Sequence, residues 1–242
     1  MKINKDSNIF TFSFAIMMVL VVAISLAFVS ESLSDMKKAN KIDKKKINIL
    51  SAIKVKSDRK TANQLYSDYI KKSVVINSVG EVVQHKNIDS LAFNIDVQKQ
   101  YRDKTLSKED KLFPLFVAKK DGLEFYITPM VGSGLWGPIW GFIALESDCN
   151  TIFGASFDHK SETPGLGAEI RESFFEDAFI GKKILDNNNQ FVSVDVVKGG
   201  AETGSYHQVD GITGGTITSD GVTNMLKNDL EVYNNYFDKI RE

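Results

Sequence analysis

An uncharged run of 21 residues, Ile9–Val29, constrains this chain more than any other feature in it. Only Thr11, Ser13 and Ser25 interrupt its apolar side chains. As a helix rising about 1.5 Å per residue it spans roughly 30 Å, the thickness of bilayer hydrocarbon. Inside lipid, a segment of this kind satisfies its backbone groups only as a helix. A secretory leader is the competing reading. The apolar region of a leader is usually about 7 to 15 residues, however, and no small-x-small cleavage site follows Val29. We therefore expect a retained membrane helix over 9–29, preceded by a tail over 1–8.

The remainder of the chain must fold in water on one side of the membrane. At 242 residues, 43% hydrophobic and 25% charged, the chain has material for one domain with a sizeable core. A formal net charge of −1 gives no electrostatic case for nucleic acid. The single cysteine, Cys149, excludes an internal disulfide and any multi-cysteine metal or iron–sulfur site within this chain. His85, His159 and His207 lack ligand spacing, so no metal site is expected. Charge argues about orientation. Lys2 and Lys5 precede the apolar run, whereas Lys37, Lys38, Lys41, Lys44, Lys45 and Lys46 follow it, offset by Glu31, Asp35 and Asp43. Taken alone, the positive-inside rule would leave the domain in the cytoplasm, although long domains translocate largely regardless of charge.

Residues 30–69 read as a juxtamembrane helical segment whose lysines form a solvated face, with membrane lipid as its neighbour. Short strand-like pieces at Ser73–Ile76 and Glu81–Gln84 come next, with no evident chemistry over 61–111. Aromatic and β-branched residues then mark strands at Phe113–Ala118, Leu123–Met130, Pro138–Leu145, Thr151–Asp158 and Gln190–Lys198. Ala168–Leu185, with Phe174, Phe175, Phe179 and Ile180 on one side, reads as a helix. The fold class is α+β: a single soluble domain over 70–242 with a mostly antiparallel sheet and packing helices.

The chemistry gathers in Asp210-Gly-Ile-Thr-Gly-Gly-Thr-Ile-Thr-Ser-Asp-Gly221, where hydroxyls and glycines crowd just ahead of a 3.6-residue rhythm from Val222 to Ile240. A glycine turn feeding a helix N-terminus suits a phosphate, because unpaired N–H groups and the positive dipole end meet there. Ser219 is placed to cap that helix. Two further loops stand out: Gly132–Gly141, with Trp136 and Trp140, and Glu162-Thr-Pro-Gly-Leu-Gly167. A planar ring cofactor needs apolar faces and polar edge partners, and these loops offer both. A tryptophan in a strand is more often core than cofactor cover, so core packing is the first expectation for Trp136 and Trp140 individually.

Asp210-x-x-Thr213-Gly214-Gly215-Thr216 resembles the flavinylation motif of FMN-binding domains, with Gly215 where alanine is more usual. Gly134–Leu145, His159 with Glu162–Ile170, Phe179–Lys183 and that motif follow one another as they do in C subunits of sodium-translocating NADH:quinone reductases; Asn40–Leu50 is similar to the segment after their membrane helix. The resemblance covers nearly the whole chain and is weakest over 60–112. It implies FMN carried on Thr216 through a phosphoester bond, within an FMN-binding region at about 132–242. Asp210, Thr213, Gly214 and Gly215 would shape the attachment turn, with Ser219 near the phosphate. Glu162, Thr163 and Leu166 would lie against the ring, joined by Leu135 and Trp136. No catalytic residue is expected.

The resemblance further implies an electron carrier in a bacterial cytoplasmic membrane, its large domain on the outer, periplasmic face. It would work beside subunits A, B, D, E and F, passing electrons singly to the B subunit on their way to quinone. A flavin transferase would act on it during maturation, and the subunit alone would not oxidise NADH. Three other readings stay open: the G subunit of an Rnf-type ferredoxin:NAD oxidoreductase, a membrane-anchored FMN redox sensor, and a tethered structural domain that binds nothing covalently.

Overall fold

A computed structural model describes residues 7–241. Of the expected tail, residues 1–6, with Lys2 and Lys5, lie outside the described residues. Contacts divide the chain into residues 1–44 and residues 45–242. In the first unit, α1 (Asn8–Ser32) holds the uncharged run and buries none of its side chains. Its 25 residues make it long and apolar enough to cross a membrane. The helix α2 (Ser34–Ala52) opens at the end of this unit, with a surface ion pair between Lys38 and Asp35 at 3.3 Å.

The second unit takes in the last turns of α2, so its compact body begins well ahead of residue 70. There α3 (Ala62–Tyr69), α4 (Ile88–Asn94) and α5 (Val97–Arg102) accompany a five-stranded sheet. Its strands, β1 (Ile70–Ile76), β2 (Phe113–Lys120), β3 (Leu123–Ser133), β4 (Pro138–Leu145) and β5 (Ile152–His159), lie in sequence order. Every neighbouring pair in it is antiparallel. Alternation sorts side chains to two faces. Leu115, Met130, Ile139, Ile143 and Leu145 face one core. Phe116, Ala118, Ile127, Phe142 and Ala144 face another.

The first face is covered by the long helix α7 (Thr216–Arg241), whose Val222, Met225, Leu226, Leu230, Tyr233 and Phe237 are buried at helical spacing. It sits close because Gly221 has no side chain: a Cβ there would stand 2.2 Å from the Ser133 carbonyl oxygen. The Tyr233 hydroxyl lies 2.9 and 3.0 Å from the carbonyls of Pro114 and Pro129. The second face is covered by Ile49 and Leu50 of α2 and by Ile53 just after it, with α3 and α4 beside them. Lys45 and Lys46 are part of that packing. Lys45 donates to the Phe93 and Ile95 carbonyls at the end of α4, and Lys46 lies over the Tyr66 and Phe93 rings.

Three expectations need correction. Ala168–Leu185 is not one helix: two short 3-10 turns, Gly167–Arg171 and Asp177–Phe179, flank the single-turn α6 (Ser173–Glu176). The apolar spacing is real, since Phe175 and Phe179 are buried, but Glu172 between the turns is extended and interrupts the ladder. Glu176 instead turns its carboxylate to the Phe157 N–H on the free edge of β5, 2.6 Å away. Gln190–Lys198 contributes only β6 (Asp195–Val197), because Ser193 adopts a positive φ of 65° that breaks the extended run. Glu81–Gln84 supplies one isolated bridge, Val82 to Ile76.

Candidate functional site

The two-stranded parallel sheet of β6 and β7 (Gln208–Asp210) delivers the chain into the Gly211–Gly215 turn. Gly211 N–H donates to the Val197 carbonyl at 2.9 Å, and the Asp210 carboxylate accepts from Ala201 N–H at 2.7 Å. Asp210 therefore faces the Gly199–Gly200–Ala201 turn and braces the entry to the motif from outside. At the other end, α7 opens at Thr216, so Ser219 lies inside its first turn and is not the cap. The Ser219 hydroxyl is buried and accepts from Ile212 N–H at 3.0 Å, which folds the motif back onto the helix.

Glycines make the turn dense. Gly214 takes a φ of 76°, and a Cβ there would come within 2.6 Å of the Leu166 side chain. A Cβ on Gly215 would meet the Ile212 side chain at 3.0 Å and the Gly167 backbone nitrogen at 3.3 Å. The Gly211–Gly215 turn and the Glu162–Gly167 loop are thus in van der Waals contact. Thr213 and Gly214 are exposed, Gly215 is buried, and Thr216 is half-buried at the N-terminus of α7.

Glu162 joins the third loop to the other two. Although only 5% exposed, it has a partner for each oxygen: Oε1 accepts from Trp136 N–H at 2.8 Å and Oε2 from the Thr218 hydroxyl at 2.7 Å. A buried carboxylate is tolerable only when its lone pairs are satisfied in this way. Gly134 and Gly167 give it room, since Cβ atoms at either would lie 2.6 Å from its oxygens. The Thr163 side chain is exposed, while its carbonyl accepts from Leu166 and Ala168 N–H at 3.1 and 3.2 Å, curling the loop. Above this polar frame the apolar side chains face solvent: Trp136 is 64% exposed, Leu135 51%, Leu166 42% and Ile217 56%. Core packing of Trp136 is therefore overturned, while Trp140, within β4, is half-buried.

The sequence reading missed Ile217 and the role of Thr218. Ile217 had a signal: five positions before Val222, it falls off the buried stripe of α7. The tie between Thr218 and Glu162 spans 56 positions and has no local signature. Of the predicted residues, Asp210 turns to the Gly199–Ala201 turn and away from the other loops.

An assembly with exposed apolar side chains, a glycine turn and a helix N-terminus bearing a half-buried hydroxyl fits a flat ring joined to a phosphate. The FMN-binding domain family matches residues 134–231. The C subunit of the Na(+)-translocating NADH-quinone reductase of Vibrio parahaemolyticus is 33% identical over 233 residues, covering 90% of this chain and 89% of that protein. The crystal structure of the C subunit of the same reductase from Parabacteroides distasonis superposes with a TM-score of 0.74 at 42% identity, covering 85% of this chain and 96% of that one. For Shewanella oneidensis NqrC the TM-score is 0.70 at 25% identity, with 84% and 99% covered. Sharing their fold, and that level of identity along 90% of its length, the chain belongs to the family of Na(+)-translocating NADH-quinone reductase C subunits and contains an FMN-binding domain.

Proposed function

We propose that this chain is the electron-carrying C subunit of a membrane Na+-pumping NADH:quinone oxidoreductase and that it holds FMN through a phosphoester bond on Thr216. Bound FMN would supply a group able to take and give electrons singly. The chain's own residues bind, orient and screen it. The observation that carries the reading is the difference among three nearby threonines. Thr218 is buried and its hydroxyl is committed to Glu162. Thr213 is exposed, three positions short of the helix. Thr216 opens the helix, directly after the Gly214–Gly215 pair that packs on Leu166 and Gly167.

A flavin transferase would make the bond, with Thr216 Oγ taking the FMN phosphoryl group of FAD as AMP leaves. The remaining phosphodiester charge would gain roughly 0.3–1 kcal/mol from the start of α7. Leu135, Trp136, Leu166 and Ile217 would cover the ring, and backbone groups of the Thr163–Leu166 turn would meet its polar edge. Covalent attachment suits a domain on the outer face of the cytoplasmic membrane, where dissociated FMN would be diluted away. The other five subunits would surround the domain, with the B subunit receiving the electrons.

Intact-mass spectrometry of the native chain tests this directly, with one FMN-phosphoryl adduct expected. Thr216→Ala should give folded, colourless protein, Thr216→Ser should keep partial flavinylation, and Thr218→Ala should still carry the adduct. Peptide mapping that places FMN on Thr213 or Thr218 would overturn the assignment. Orientation is tested by Asp121→Cys at the β2–β3 turn: a membrane-impermeant reagent should label it in intact cells, and labelling only after lysis would refute an outer location.

A further inference from the structure

Trp136 is the largest exposed apolar side chain at the site, and both of its backbone groups are held by one short segment. Its N–H donates to Glu162 Oε1 at 2.8 Å, and its carbonyl accepts from the Ser161 hydroxyl at 2.9 Å. That segment leaves β5 at His159, and Lys160 N–H fastens its start to the Pro138 carbonyl at 3.1 Å. Glu162 N–H then turns back and donates to His159 Nδ1 at 3.1 Å. The imidazole is therefore the backbone acceptor that closes the turn carrying both Ser161 and Glu162.

This acceptor role fixes the ring's chemistry. With Nδ1 accepting, the proton of the neutral imidazole resides on Nε2. Nε2 is buried and has no hydrogen-bond partner among the described residues. A buried donor without a partner costs stability, so packing alone does not favour histidine here over an apolar side chain or asparagine. What histidine supplies is the Nδ1 lone pair at the Glu162 amide.

The geometry points to His159 as a positioning residue: through Glu162 and Ser161 it sets the place of Trp136, and with it the apolar cover of the ring. It acts through the turn that Glu162 N–H closes on its Nδ1. The inference rests on the proposed FMN site for its consequence, while the effect on Trp136 stands without it.

The test uses the full chain in detergent, co-expressed with a flavin transferase, in a Trp140→Phe background that leaves Trp136 as the only indole. His159→Asn puts an amide oxygen where Nδ1 stands, whereas His159→Gln puts its amide at the place of Nε2 and His159→Leu supplies no acceptor. The expected result is that His159→Asn keeps the indole anisotropy and collisional quenching of the parent. His159→Gln and His159→Leu should lower the anisotropy and raise quenching at least twofold. In flavin-loaded protein the same two variants should keep the full adduct mass while FMN emission rises severalfold, because a loosened indole quenches the ring less. Equal indole behaviour in the Asn and Gln variants would overturn the positioning role. If His159→Leu fails to fold, the Asn and Gln pair decides alone. Absence of the adduct from the parent chain would instead count against the FMN reading, with the indole comparison still deciding the role of His159.

Discussion

The two faces of the five-stranded sheet are built from the same strands by simple alternation, yet only one of them leads to the site. On the first face a single long helix, α7, runs along the core and begins at Thr216. On the second, the end of α2 with α3 and α4 forms a patchwork sealed by lysine stems and ammonium groups. A helix that starts at a glycine turn turns core packing into placement, because each buried residue along α7 helps to fix where its N-terminus stands. A patchwork of short helices buries apolar surface without aiming anything.

The largest expected effect separates these duties. Phe116→Ala on the second face and Met225→Ala on the first each empty a fully packed position and should cost about 3–5 kcal/mol and 2–5 kcal/mol, read by denaturant unfolding. Phe116 belongs to the core below α4. Met225 is the side chain that a Cβ on Gly132 would strike at 2.9 Å, at the foot of the Leu135–Trp136 loop. We expect the visible flavin spectrum to be unchanged by Phe116→Ala and shifted by Met225→Ala. The same spectral shift from both variants would erase the distinction between the faces.

Next in size is Glu162→Ala, which strands the Trp136 N–H and the Thr218 hydroxyl together and should cost about 2–4 kcal/mol. Glu162→Gln, which keeps one carbonyl acceptor, should recover more than half of that loss. Thermal melts of the three proteins compare them, and a Gln variant no better than Ala would mean that the charge, and not the pair of hydrogen bonds, holds the loops. On the opposite face Lys45→Met removes a donor to two carbonyls and a cation over two rings while keeping an apolar stem. Its expected cost is about 1–2 kcal/mol with no change in flavin emission.

How much of this could be read beforehand follows the range of each interaction. The long apolar helix α1 was legible from its uninterrupted composition, and the meander from β2 to β5 and the stripe of α7 because period 2 and period 3.6 are local patterns. Ala168–Leu185 misled because Phe175 and Phe179 carry helical spacing, whereas the extended Glu172 breaks the ladder and the Glu176 side chain is committed to an edge-strand N–H. Ser219 looked like a cap because hydroxyls before an apolar rhythm usually are caps, but its partner Ile212 lies behind it in a turn that the glycines tighten. The lysines at 45 and 46 read as solvated because their partners lie farther along the chain: carbonyls in and after α4 for Lys45, and Asn63 of α3 with the Tyr66 and Phe93 rings for Lys46. Glu162 was expected beside the ring from resemblance, and its two internal partners, 26 and 56 positions away, could be seen only in three dimensions.

The smallest effect concerns how α7 is tied to the strand below the site. Asp229 accepts from Val131 N–H at 2.8 Å, two residues before the end of β3. Burial pushes its carboxyl up to about 7, against the opposing pull of that N–H and of the Lys111 charge. In the unfolded chain the group titrates near 4. Between those values the unfolded chain has released the proton while the folded chain still holds it, so stability falls as pH rises through the window. The contribution is complete below about pH 4 and gone above about pH 7. Because Asp229 keeps some exposure, solvent screening reduces the swing to on the order of 1 kcal/mol. Asp229→Asn removes the titration while its carboxamide oxygen can still accept from Val131. Its stability relative to the parent should therefore rise between pH 5 and pH 8, when the two are compared by urea unfolding at each pH. A difference constant across that range would mean that the folded chain does not hold the Asp229 proton through the window, and the tie between α7 and β3 would be set by the Val131 hydrogen bond alone.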